Sequence, residues 1–150
     1  MYSKENKERM QKWSIQSSDE FGFHEVITPT NSDCVAAQMF RLNMKSGDIY
    51  KLESGKLELH PVLIKGKAEI NEHSVLNHKM DPFDSFYIPA NNSVKITAVE
   101  DCIFYIAGAK CDGLGKPSFR KFEITLPIGD IHQIHGEGVG QREVMFTLAP

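Results

Sequence analysis

From Phe21 onward the apolar residues come in short runs, many at every second position, and turn residues interrupt them at intervals of roughly 8–12 residues. Phe23 to Ile27 stops at Thr28-Pro29. Val35 to Met44 carries Phe40, Leu42 and Met44 at period two, with Arg41 and Asn43 between them. Ile49 to Leu52 lies between the turns Ser46-Gly47-Asp48 and Ser54-Gly55-Lys56. Leu57 to Ile64 is a longer strand into which Glu58 and His60 alternate, and Lys65-Gly66-Lys67 turns it back. Further strands are predicted at Ala68 to Ile70, Ser74 to Leu76, Ser85 to Ile88, Ser93 to Val99, Ile103 to Ala107, Phe119 to Leu126 and Val144 to Leu148. About ten short strands, with no sustained helical period after residue 20, predict an all-β sandwich or closed barrel, which hides most of its strand edges.

The first 20 residues are polar and predict a short helix or an arm, anchored by Trp13 and Ile15. Residues 21–110 hold the barrel pattern. Residues 111–150 open with the linker Cys111 to Ser118 and end in terminal strands that pack on the barrel or on a second subunit.

Composition narrows the class. The chain has 150 residues, enough for one domain with its own core. Apolar residues make up 41% and charged residues 25%, as in ordinary globular proteins, and no apolar run approaches the ~20 residues that span a bilayer. A net charge of −3 argues against a nucleic-acid partner. The segment Met1 to Gln16 has no apolar stretch of the kind an export signal needs, and the cysteines number three, without a Cys-x-x-Cys pair. The expectation is a cytoplasmic protein with reduced thiols, no membrane partner and Cys102 buried as a small hydrophobe.

The order Ser46-Gly47-Asp48, Val62 to Ile70 with its apolar-apolar-x-Gly-x-Ala-x-Ile turn, and Tyr87-Ile88-Pro89-Ala90 resembles a cupin, which implies a double-stranded β-helix, or jelly-roll barrel. Phe23 to Pro29, Phe40-Arg41-Leu42, Leu57-Glu58-Leu59, Val62 to Ile70, Asp84 to Ala90 and Gly138 to Val144 are together similar to the N-terminal half of the 5-deoxyglucuronate isomerase family of myo-inositol catabolism. That family is itself similar to the uronate ketol-isomerases of pectin breakdown. The resemblance implies aldose–ketose isomerisation of a sugar acid. It also implies two tandem cupins with the metal in the second, the half this chain does not match.

The metal-binding cupin pattern, Gly-x5-His-x-His-x3,4-Glu-x6-Gly followed by Pro-x-Gly-x2-His, places its ligands by alternation on one strand face. Laid on this chain, the two His positions fall on Glu53 and Gly55, the Glu position on Leu59 and the last His on Val94. The expectation is therefore no metal and no other cofactor, unless a site is rebuilt around Glu58 and His60.

Isomerisation needs a base near neutrality and a group that stabilises an enediolate. Glu58 and His60 share a strand face and are the candidate catalytic pair. Their plain placement is a solvated outer face, opposite Leu57, Leu59 and Leu63; a register shifted by one residue would turn both inward. Tyr50 and Tyr87 are candidate hydrogen-bond donors to a sugar, or else rim residues of the barrel. Arg142 is a candidate partner for a carboxylate, or else a subunit-contact residue. His132 and His135 sit among glycines that argue for a loop.

The sequence thus supports a single-cupin relative of 5-deoxyglucuronate isomerase without metal ligands. The alternative is a non-catalytic cupin that binds a sugar acid or serves as a partner subunit. The expected assembly is a homodimer through the terminal strands, or a pairing with a second cupin.

Overall fold

The computed structural model describes residues 3–12, 14–112, 114–123 and 125–147. Trp13, Ile124 and the end of the predicted last strand at Leu148 lie outside the described residues. Among the described residues a short helix, α1 (Lys4–Lys12), precedes twelve strands. These are β1 (Gly22–Ile27), β2 (Ala37–Met44), β3 (Ile49–Glu53), β4 (Leu57–Lys65), β5 (Ala68–Asn71), β6 (His78–Met80), β7 (Ser85–Tyr87), β8 (Ser93–Ala98), β9 (Cys102–Lys110), β10 (Ser118–Arg120), β11 (His132–His135) and β12 (Arg142–Met145). A six-stranded sheet in the order β1-β2-β9-β4-β7-β10 faces a four-stranded sheet in the order β3-β8-β5-β6, and β11 and β12 form a separate hairpin. The fold is the double-stranded β-helix that the cupin resemblance implies. No helix among the described residues is long and apolar enough to cross a membrane.

Alternation builds the core. Phe40, Leu42 and Met44 of β2, Leu59 and Leu63 of β4, Cys102, Phe104 and Ile106 of β9, and Val94, Ile96 and Ala98 of β8 all point inward and are buried. Each large side chain so buried contributes about 1.5–3 kcal/mol. Gly108 of β9 also points inward, where a Cβ would come within 3.0 Å of both Leu59 and Phe40. The barrel interior is a solid apolar plug.

Three local predictions are corrected. The strand expected at Ser74 to Leu76 is a loop, because the Nδ1 of His73 accepts the N–H groups of Val75 and Leu76 and closes it; the strand begins at His78. The strand expected over Phe119 to Leu126 ends at Arg120. There Asp84, fully buried, takes the Phe122 N–H on Oδ1 (2.8 Å) and the Lys121 ammonium on Oδ2 (2.9 Å), turning the chain away from β7. The loop expected around His132 and His135 is strand β11, paired with β12. Gly136 and Gly138, both at positive φ, make the tight reversal that allows it.

At the N-terminal side, residues 17–20 lie over the outer face of β2. The Arg41 guanidinium donates to Ser17 Oγ (2.9 Å) and Asp19 (2.7 Å), and the Asn43 amide donates to the carbonyls of Ser18 and Glu20.

The turn glycines differ in what surrounds them. Gly55 (φ +56°) has open space where a Cβ would stand, whereas at Gly66 (φ +83°) that Cβ would lie 2.2 Å from the Asp101 carbonyl oxygen. Gly55→Ala is expected to lose about 1 kcal/mol, the cost of left-handed backbone alone. Gly66→Ala is expected to lose more than about 3 kcal/mol, since the β4–β5 turn must also move off β9. Urea unfolding of the two variants checks the order.

Candidate functional site

On β4 the residues opposite the core are Glu58, His60 and Val62. They lie on the outer face, as counting by twos from Leu59 requires, yet they are not solvated. Glu58 and His60 are both half-buried. The covering comes from chain distant in sequence. Gly115 of the linker packs on the Tyr87 ring so closely that a Cβ there would stand 2.0 Å from the hydroxyl. Arg120 of β10 and Thr147 close the other side of His60.

Pro61 shapes the region. Leu59 and Leu63 each donate their N–H across to the β7 side, to Ile88 and Asp84. Pro61 between them has no N–H to give, so the β4–β7 ladder skips a rung, leaving Val62 opposite Ser85 and an isolated bridge from Leu59 to Ile88. On the other side of β4, strand β9 presents Ala107 opposite His60 and Ala109 opposite Glu58. These small side chains floor a groove of about 280 Å³, walled by Met39, Glu58, His60 and Tyr87. A smaller chamber of about 70 Å³ adjoins it, lined by His60, Ser85, Tyr87, Ser118, Arg120 and Thr147 among others.

The Tyr87 hydroxyl donates to Glu58 Oε2 at 2.8 Å. Burial, then the bond to Glu58 and its negative charge, pushes the phenol up to about 12. The His60 imidazole is pulled below its ordinary value, chiefly by burial and also by the Arg120 charge, while the neighbouring Thr147 backbone acts in the opposite direction. Its Nε2 and the Nη1 of Arg120 are buried without a hydrogen-bond partner.

Of the residues singled out from the sequence, Glu58, His60 and Tyr87 come together. Tyr50 does not join them. It lies on the other sheet, stacked on Phe23 at 5.8 Å, with the Phe23 ring in turn stacked on Phe40. Arg142 is exposed on the β11–β12 hairpin, where it pairs with His135. The arginine at the site is Arg120 instead. Its signal was the alternation of Ser118, Phe119 and Arg120, which puts Phe119 against the core and the other two beside Tyr87 and Ser85. On β11, residues three apart point to opposite faces, so His132 is buried with Nδ1 on the Leu126 carbonyl while His135 is exposed.

The side chains at the pattern's four positions decide whether the barrel suits the metal that a cupin implies. Leu59 and Val94 are buried in the apolar plug, Glu53 is exposed and paired with Lys51, and Gly55 has no side chain. This donor set does not fit a metal ion. Among the described residues, no three His, Cys, Asp or Glu side chains converge as a cation site, and that includes Glu58 and His60.

The Tyr87–Glu58 bond gives a measurable consequence. Because the phenol titrates higher in the folded state, the bond's contribution to stability is complete below the ordinary tyrosine value of about 10 and is lost as pH rises through about 12. In an alkaline absorbance titration, the difference between wild type and Tyr87→Phe should show a tyrosine ionising well above the ordinary range. Glu58→Gln should lower that midpoint.

Comparison with known proteins adds to this geometry. A comparison with curated proteins finds no match. Among solved structures, an IolB-like protein from Salmonella typhimurium LT2 superposes with a TM-score of 0.70 at 21% identity, over 87% of this chain and 51% of that one. The chain thus spans about half the length of that protein. A cupin family protein with a double-stranded β-helix fold from Methanocaldococcus jannaschii matches with a TM-score of 0.51 at 14% identity, over 64% of this chain and 88% of that one. Oxalate decarboxylase from Bacillus subtilis, a protein with Mn(II) centres, matches with a TM-score of 0.53 at 20% identity, over 69% of this chain and 29% of that one. These likenesses establish the cupin fold. A sequence model of the KduI/IolB family matches residues 11–146, nearly the whole chain, and the protein belongs to that family.

Proposed function

We propose that this chain is a non-catalytic cupin of carbohydrate catabolism, working as the partner of a second cupin that carries the metal and performs the sugar-acid isomerisation. The observation that carries this reading is the filled barrel. Where a catalytic cupin keeps ligands and a cavity, this one packs Leu59, Val94, Phe104, Ile96 and Ile106 side by side. A base in that space would have to displace apolar side chains, at about 2–5 kcal/mol for each one removed. The match to about half of a longer IolB-like protein supports a role beside another domain or subunit. A cytoplasmic setting is supported by Cys34, Cys102 and Cys111, none of which forms a disulfide.

The test is elemental analysis of the purified chain together with an isomerase assay on 5-deoxyglucuronate and related uronates. The expected result is substoichiometric transition metal and no turnover by the chain alone. Turnover proportional to chain concentration and abolished by a chelator would overturn the proposal.

A further inference from the structure

The outer face of the six-stranded sheet holds two needs that the protein leaves unmet in one place. Arg120 cannot lose its charge, and it makes no ion pair among the described residues. Buried polar nitrogens are almost always partnered, so its orphaned Nη1 calls for an acceptor from outside the chain. His60 has a matching need, since its Nε2 is also buried without a partner. An imidazole nitrogen donates or accepts according to its tautomer, and a hydroxyl, which does both, satisfies it in either form.

Both groups line the same small chamber, with the Ser118 hydroxyl beside them as a further donor. The requirement is an anionic acceptor next to a hydroxyl. A carboxylate with a hydroxyl on the neighbouring carbon supplies both. The guanidinium pairs with the carboxylate, and the hydroxyl on the neighbouring carbon is what sets this ligand apart from a simple anion. The chamber shares His60 and Tyr87 with the larger groove, so a longer ligand runs out over Ala107 and Ala109. There the Glu58 carboxylate, already holding the Tyr87 hydroxyl, has acceptor capacity left for further ligand hydroxyls.

We propose that this outer-face site binds a small hydroxycarboxylate, with its carboxylate on Arg120, its 2-hydroxyl on His60 Nε2 and any further hydroxyls along the groove toward Glu58. The site is separate from the barrel interior, and it bears on binding alone. It stands or falls apart from the partner role proposed above.

Titration calorimetry on the full chain tests it with D-glycerate, propionate, D-gluconate and inorganic phosphate. Glycerate is expected to bind at least tenfold more tightly than propionate, which has the same carbon skeleton without hydroxyls. Gluconate should bind more tightly than glycerate because it reaches the groove, and phosphate, which cannot reach it, should bind more weakly than gluconate. Arg120→Met should weaken gluconate at least tenfold, and His60→Phe should erase the preference of glycerate over propionate. Arg120→Lys, which keeps the charge but not the fork, should also weaken binding and guards against a misfolded Met variant. Arg142→Met, on the remote hairpin, should leave binding unchanged. No binding of gluconate to the wild type, equal binding to wild type and both Arg120 variants, or equal affinity for glycerate and propionate would each overturn the proposal.

Discussion

Successive side chains of an extended strand point to opposite faces, and in β2, β4 and β9 that alternation divides the protein into two chemistries. Inward go Phe40, Leu59, Leu63, Phe104 and Ile106, which join the inner residues of β3, β5 and β8 in one apolar cluster. Outward go Arg41, Asn43, Glu58, His60 and Tyr105. A shift of one residue in any of these strands would exchange the two sets, so burial of the apolar set holds the register. Among the described residues, the polar side chains of these strands therefore lie on the outside of the sheet.

The outer face is not left bare, and the way it is covered gives it different properties from end to end. Over β2, residues 17–20 are fastened by Arg41 and Asn43, and the Tyr105 hydroxyl joins Ser17, so the hydrogen-bonding capacity there is consumed within the protein. Over β4 and β7 the covering is looser. Gly115 presses on Tyr87, and Arg120 and Thr147 flank His60, but the missing rung at Pro61 and the small floor of Ala107 and Ala109 keep space between them. Asp84 governs that end. Its buried carboxylate binds the Asp81 and Phe122 N–H groups and the Lys121 ammonium, and so sets where the C-terminal segment leaves the sheet and where Arg120 stands.

Membership in the KduI/IolB family and an apolar core together describe a cupin frame built around close-packed side chains. The frame is maintained by features that do not depend on a metal: close-packed apolar side chains, turn glycines such as Gly66 lodged against Asp101, and buried hydrogen bonds at Asp84 and Arg41. Such a domain is free to present its outer surface to a ligand or a partner, because nothing in the barrel requires an open path to solvent.

The sequence by itself determined the class of fold and the two faces of each long strand. Alternation around Leu59 placed Glu58 and His60 opposite the core, and the same count put Leu59 and Val94 inside it. These are local consequences of a period of two. It did not determine that Glu58 and His60 would be half-buried, because their cover comes from residues 115, 120 and 147, far along the chain. Nor did it separate Tyr87, which reaches Glu58, from Tyr50, which stacks on Phe23 in the other sheet, since both are single tyrosines in short strands. It pointed to Arg142 rather than Arg120 for the same reason: which arginine meets the site depends on the pairing of β10 with β7, a contact between segments about thirty residues apart. Tertiary structure decided which polar groups meet, because strand pairing joins residues by position across the sheet and only the folded chain sets that position.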